Sequence, residues 1–463
     1  MSCPGARLLA DKHGCRLRTH RRPPRSSDRT QAKRGGSPLS LPNPAVFRDK
    51  NLGLTDVSSA LVKKYEDTKI KFLEDYYRVE QHNALVFSAD IQLPDDLAYI
   101  ASQQVEYRDP DDTSDLYPGK SDRYNGISQA GYLTYGHLPM ETHCFDPEKL
   151  AELELDIVVL GAPFDTGISY KPGSRFGPDA IRQGTRKFAP AYSPYREGFN
   201  VWNNWAKIVD CGNVPMTPLD NRIALDQLYR SERAILNHST TKSNPGKYPR
   251  FLTLGGDHTI SYSGIRAAHE KFGKVSVLHF DAHLDTVNPY YMNPNVTEYA
   301  ALNHGTYLYW AHRKGWTADN NIHAGLRGWY EDRGDPGRDY SESKFAKIMA
   351  RDVDKIGVQG IIDKIKQRLG NSPVYISFDI DVLDPPSAPG TGSLEPGGWS
   401  SRELLEIIDG LAGLYVVGAD VTEVSPWGDS TNDVTSIMAG EVARSILGLM
   451  VLTPVGQRSV LSR

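Results

Sequence analysis

From about residue 122 the chain alternates short apolar runs with longer amphipathic stretches. The runs at 157–160, 251–254, 275–280, 374–378 and 415–419 are rich in Val, Ile, Leu and Phe, and their lengths are those of buried strands. Between them, 178–188, 222–236, 262–272, 361–369, 401–411 and 434–449 carry apolar residues at helical spacing. Ser400 and Glu403 stand at the spacing of a capping box, which marks the start of one of these helices. Strands alternating with helices predict an α/β fold, a three-layer α/β/α arrangement with a mostly parallel central sheet. No repeat of roughly 20–50 residues is visible, which excludes a solenoid. In parallel sheets ligands bind beyond the carboxyl ends of the strands.

The first part of the chain reads differently. Residues 1–50 crowd Arg16, Arg18, Arg21, Arg22, Arg25, Arg29, Lys33 and Arg34 among Pro, Ser and Gly, with little apolar content. The expectation is a disordered basic tail, a transit segment or a misassigned start, and a cytoplasmic or mitochondrial location. Residues 51–125 form a pre-core extension; Val57, Leu61, Val62, Tyr65, Ile70, Leu73 and Tyr77 predict a helix near its beginning. The catalytic domain is expected over 126–463.

Composition narrows the function classes. Of 463 residues 39% are hydrophobic, and the net charge of -4 gives no signal for a nucleic-acid or anionic-membrane partner. No apolar run approaches the roughly 20 residues of a membrane span, so none is expected. Cys3, Cys15, Cys144 and Cys211 show no metal-type spacing, and no disulfide framework is expected.

The chemistry lies at the ends of three apolar runs. Asp281, His283 and Asp285 follow one, Asp379 and Asp381 another, and Gly255-Gly256-Asp257-His258 a third. Strand side chains alternate faces with period two, so Asp281, His283 and Asp285 are expected to point together, as are Asp379 and Asp381. The paired glycines allow either a tight turn or a close backbone approach. Two imidazoles and four carboxylates gathered near buried strand ends repel unless cations sit among them. The set lacks thiolate, which disfavours structural zinc, and suits a harder divalent ion such as Mn²⁺. Two ions about 3.5–4 Å apart would use all six groups.

These segments resemble the ureohydrolases, the arginase and agmatinase family, most closely the agmatinase-like members. The resemblance rests on Gly255 to His258, on Asp281 to Asp285, and on the run from Ser377 through Asp379, Asp381 and Pro385 to Gly392. It also covers Gly161 to Asp165 and Gly173 to Pro178. It implies an arginase-like fold and two Mn²⁺ per subunit. His258 and Asp285 would bind one, His283 and Asp381 the other, with Asp281 and Asp379 bridging and a bridging hydroxide attacking the guanidinium carbon. It further implies that Glu423 holds the guanidinium, that His304 shuttles protons, and that Asp285 assists proton transfer. A homo-oligomer, trimeric or hexameric, is implied as well. His269, His279, His312 and His323 match no motif and are read as structural or surface residues.

The substrate expected is a small guanidino compound. The arginase-type segment before the catalytic histidine is absent; 300–310 follows the agmatinase pattern instead. In the loop between Thr286 and Asn303 the one charged residue is Glu298, and Tyr290, Tyr291 and Tyr299 could face a cationic tail. This favours agmatine, hydrolysed to putrescine and urea, over guanidinobutyrate or another guanidino acid. Two other classes compete: a catalytically idle metal-binding regulator, which the complete ligand set disfavours, and a two-metal phosphohydrolase, for which no phosphate-binding loop is found.

Overall fold

The computed structural model describes residues 133–456 apart from 151, 189–190, 293, 298 and 331–333. The basic tail, the extension with its helix, Cys3, Cys15 and Glu298 lie outside the described residues. Eight strands form one sheet: β1 (Ile157–Ala162), β2 (Ile208–Asn213), β3 (Arg250–Gly255), β4 (Ser276–Phe280), β5 (Asn321–Leu326), β6 (Phe345–Met349), β7 (Pro373–Phe378) and β8 (Tyr415–Val421). Every pairing is parallel, in the order β2-β1-β3-β8-β7-β4-β5-β6. The principal helices are α1 (Gly177–Gly184), α2 (Asn221–Asn237), α3 (Ser261–Phe272), α4 (Tyr307–Arg313), α5 (Val353–Leu369), α6 (Ser401–Gly410) and α7 (Val434–Leu452).

The apolar runs work by sending alternate residues to opposite faces. Ile157 and Val159 join one apolar layer, Val158 and Leu160 the other; Leu252 and Leu254 face away from Phe251 in the same way. A strand covered on both faces is mostly apolar, which is why these segments read as near-continuous apolar runs. Ser400 and Glu403 make the capping box at the start of α6.

Three strands escaped the pattern because they carry buried polar pairs. Asp210 of β2 receives two hydrogen bonds from the buried guanidinium of Arg182 on α1. His323 of β5 meets His279 of β4, and Lys347 of β6 pairs with Asp339. These interruptions fall on β2, β5 and β6, at or next to the two edges of the sheet.

Two expectations are corrected. Helix α7 is long and apolar enough to cross a membrane by length and composition, but most of it is buried against α1, α6 and β8. A helix apolar all round is what a position inside the core requires. Cys144 and Cys211 are joined in a disulfide, with Cα atoms 6.0 Å apart.

The paired glycines prove to serve close approach, since neither has a positive φ. A Cβ on Gly256 would lie 1.8 Å from the Phe164 carbonyl oxygen, and one on Gly255 would lie 2.7 Å from Ile260 Cδ1. The N–H groups of Gly256 and Asp257 donate to the carbonyls of Ala162 and Phe164, locking the ends of β1 and β3 together. Gly256→Ala is therefore expected to destabilise the fold by roughly 1–3 kcal/mol through overpacking. Urea unfolding would check this; a variant as stable as the parent would show that the two loops can part freely.

Candidate metal centre and substrate pocket

Strands β3, β8, β7 and β4 are consecutive in the sheet, and their carboxyl ends supply His258, Glu423, Asp379 with Asp381, and Asp281 with Asp285. The six side chains do converge, but strand alternation is not the cause. β4 ends at Phe280 and β7 at Phe378, so the chemistry begins where the strands stop. Local turns do the aiming. Asp281 Oδ1 accepts from the His283 N–H at 2.5 Å, and Asp379 Oδ1 from the Asp381 N–H at 2.7 Å. Asp381 Oδ1 accepts from the Ala282 N–H at 3.1 Å, tying the two segments to each other. Asp285 takes a left-handed φ of 51°, an uncommon conformation for a non-glycine residue and one that clusters at functional sites.

Two groups of ligand atoms result. His258 Nδ1 lies 3.1 Å from Asp281 Oδ2, 3.1 Å from Asp285 Oδ2 and 3.4 Å from Asp379 Oδ2. His283 Nδ1 lies 3.3 Å from Asp281 Oδ1 and 3.0 Å from Asp381 Oδ2. Separations near 3 Å match the edge of an octahedron with bonds of about 2.1 Å. Asp281 gives one oxygen to each group, the disposition of a bridging carboxylate. Asp379 offers only Oδ2 to the centre. His258 Nδ1 and Asp281 Oδ2 are buried and make no hydrogen bond despite their proximity. Orphaned donors and acceptors around a common point are what a cation would satisfy, so the residues fit a pair of divalent ions.

The electrostatics agree. Burial, together with the charges of Asp381 and Asp281, pushes the Asp379 carboxyl well above its ordinary range. Burial would raise Asp281 too, but His279, His258 and His283 hold it well below. Behind the centre, His258 Nε2 lies 2.9 Å from Ser377 Oγ and 3.0 Å from the Tyr307 hydroxyl, which leaves Nδ1 facing the carboxylates. Such outer partners fix ring orientation.

His279 was set aside on sequence grounds; the structure moves it to the centre. Its Nε2 is 3.0 Å from Asp281 Oδ2, and its Nδ1 is 2.8 Å from His323 Nδ1, whose ring continues to Asp339. His279 stands two residues before Asp281, near the end of β4, and its partner His323 comes from the neighbouring strand β5. His269 and His312 lie apart from the centre on α3 and α4.

Glu423 follows β8 in another left-handed conformation, φ 61°. Its Oε1 accepts from the His258 N–H at 2.8 Å and lies 3.4 Å from His304 Nδ1. For His304, burial lowers the affinity for a proton, but Glu423, Asp285 and Asp257 outweigh it and raise the pKa to about 9.

A family model described as the arginase family matches residues 155–448, more than half of the chain. The chain belongs to the arginase family. A protein of Schizosaccharomyces pombe bearing an agmatinase name is 41% identical over 352 residues, 74% of this chain and 88% of its own length. The agmatinase of Neisseria meningitidis is 35% identical over 319 residues, covering 68% of this chain and 91% of its own. Among solved structures, the proclavaminate amidino hydrolase of Streptomyces clavuligerus superposes with a TM-score of 0.60 at 32% identity, over 70% of this chain and 98% of that one. The chain is thus an agmatinase-like ureohydrolase, an amidinohydrolase by its relatives.

A cavity of about 630 Å³ opens over the centre of this arginase-family protein. His283, Asp285, His304, Asp379, Asp381 and Glu423 line it. Tyr299 reaches it as expected, but Tyr290 and Tyr291 turn outward, packing on Trp310 and hydrogen-bonding Glu342. Trp329 and Tyr330, from the loop after β5, supply the other aromatic walls. Nothing in their sequence context marked them.

Removing and restoring divalent ions tests the centre without any substrate. A chelated sample should melt lower, and metal at a hundred times its dissociation constant should return about 2.7 kcal/mol. Asp281→Asn should lose most of that gain, because one oxygen of each group changes at once. Equal thermal shifts in the parent and the variant would rule out Asp281 as a shared ligand.

Proposed function

We propose that this ureohydrolase hydrolyses agmatine to putrescine and urea with two Mn²⁺ ions in the centre. The observation that carries the reading is the character of the cavity. Glu423 and Asp285 stand at its floor, and no Lys or Arg is among its described lining residues. A planar guanidinium needs a carboxylate partner, and a carboxylate tail would need a cation. An ammonium tail instead suits the faces of Tyr299, Tyr330 and Trp329. A guanidino acid remains the second reading because Arg222 stacks on Tyr299, its guanidinium 4.8 Å from the ring centre. For that reading the Arg222 guanidinium would have to swing toward the cavity.

When bound, the two cations would supply a hydroxide nucleophile at neutral pH, with His258, Asp281, His283, Asp285, Asp379 and Asp381 the residues that would hold them. The chain's own residues do the rest. Glu423 orients the guanidinium: with Oε1 engaged by the His258 N–H, Oε2 remains for a substrate N–H. As the nucleophilic oxygen bonds to the guanidinium carbon and the carbon–nitrogen bond to the substrate tail breaks, Asp285 takes up the proton of the attacking oxygen and His304 donates one to the departing amine. A histidine with a raised proton affinity stays protonated through neutral pH and loses that proton as pH climbs through about 9. As a donor it is therefore competent below that value. The relatives named agmatinase support the substrate; proclavaminate amidinohydrolase shows that family members take other guanidines. Glu423, His304 and the six convergent side chains favour an active enzyme over an idle regulator. We also carry forward a homo-oligomer, trimeric or hexameric, which sedimentation would test.

Urea release from agmatine, guanidinobutyrate, guanidinopropionate and arginine, each with Mn²⁺-loaded protein, tests the substrate. Agmatine should give the highest kcat/KM, and a preference for guanidinobutyrate would transfer the assignment to the second reading. His304→Ala should cut kcat by about 10²–10⁴-fold and abolish the alkaline fall in rate. An unchanged alkaline limb would remove His304 from proton transfer. Glu423→Ala should eliminate productive binding while leaving the metal-dependent thermal shift in place.

A further inference from the structure

His304 is held from behind by a residue outside the ligand set. The Ser169 N–H donates to His304 Nε2 at 3.2 Å, and the Ser169 hydroxyl lies 2.9 Å from the same nitrogen. Ser169 sits in a loop after β1 that is fastened on several sides. The Gly167 N–H donates to Asp257 Oδ2 at 2.7 Å, and the Gly167 carbonyl accepts from the His304 N–H at 3.3 Å. Gly167 also abuts Thr259, where a Cβ would meet Oγ1 at 2.1 Å. Asp257 is buried beside His258, so the loop is anchored to the same turn that carries the metal-centre histidine.

We propose that Ser169 is a positioning residue for His304: its N–H and hydroxyl together hold Nε2, so that the neutral ring carries its proton on Nδ1, facing Glu423. A backbone N–H can only donate, and it therefore requires a bare Nε2 in the neutral ring. The hydroxyl can reverse. It donates to bare Nε2 and accepts from Nε2–H once the ring is an imidazolium. One side chain can thus partner Nε2 in both protonation states, while Nδ1 lies 3.4 Å from Glu423 Oε1. The charged groups facing His304 are Glu423, Asp285 and Asp257, all carboxylates, and Ser169 is the neutral partner that tracks the proton. This inference rests on the reading of His304 as the proton carrier.

In Ser169→Ala the reversible partner is lost, and the remaining N–H opposes an imidazolium N–H. The expected result is a fall in kcat of about tenfold, the scale of one hydrogen bond to a charged group, with KM little changed. The alkaline limb of the rate profile should move to lower pH. Ser169→Thr should behave like the parent, and Ser169→Val, which matches threonine in shape, like Ser169→Ala. An effect confined to KM, an unmoved alkaline limb, or equal behaviour of the threonine and valine variants would overturn the assignment. A readout free of turnover separates this from the substrate question. Nitrogen-15 NMR of histidine-labelled, Mg²⁺-loaded protein should show His304 with bare Nε2 at high pH, and a bare Nδ1 would overturn the proposal. Failure of every guanidine compound to release urea would instead refute the substrate reading, with the spectrum still deciding the tautomer.

Discussion

Four carboxylates and two imidazoles meet within hydrogen-bonding distance of one another at the end of a buried sheet, and that crowding governs the rest of the architecture. Like charges this close cannot all ionise in a low-dielectric site without a compensating cation. The opposed shifts of Asp379 and Asp281 express the conflict: one carboxyl is driven towards its neutral form, the other is kept charged by three surrounding rings. A pair of divalent ions would remove the conflict, while protons could satisfy it only in part. The site is therefore a cation receptacle before it is anything else.

Holding such a cluster open requires a rigid frame, and the frame is polar. Asp281, Asp379 and Asp381 each accept a nearby backbone N–H on one oxygen, which fixes the direction of these three carboxylates. Asp285 and Glu423 hold left-handed backbone conformations, uncommon for residues other than glycine. Strain of this kind persists only where surrounding contacts over-determine it. Ser377 and Tyr307 fix His258 from behind, and the chain His279, His323, Asp339 supports Asp281. The glycines of the turn after β3 let that turn lie against the end of β1, which brings Asp257 and the Ser169 loop into register with His304.

Specificity is built on a different principle. The floor of the cavity is charged and rigid, whereas its walls are aromatic and come from loops on separate elements: Tyr299 before α4, Trp329 and Tyr330 after β5. The proposed guanidinium contacts thus lie on the floor and the proposed tail contacts on the walls.

Five of the eight described strands were legible as near-continuous apolar runs, because strands covered on both faces are mostly apolar. The six ligand candidates could be named from residue type and spacing, whereas Glu423 and His304 rested on the resemblance to the ureohydrolases. The strands β2, β5 and β6 were hidden because Asp210, His323 and Lys347 break the apolar pattern, and their partners come from distant parts of the chain. How the acidic residues converge was also beyond the sequence: alternation along a strand is a local rule, and the strands end before the acids begin. Ser169, His279, Trp329 and Tyr330 acquire meaning only from what stands opposite them. Residue identity and short-range periodicity determine which groups are available and which segments are buried; which groups face one another is decided by long-range packing, and that exists only once the chain has folded.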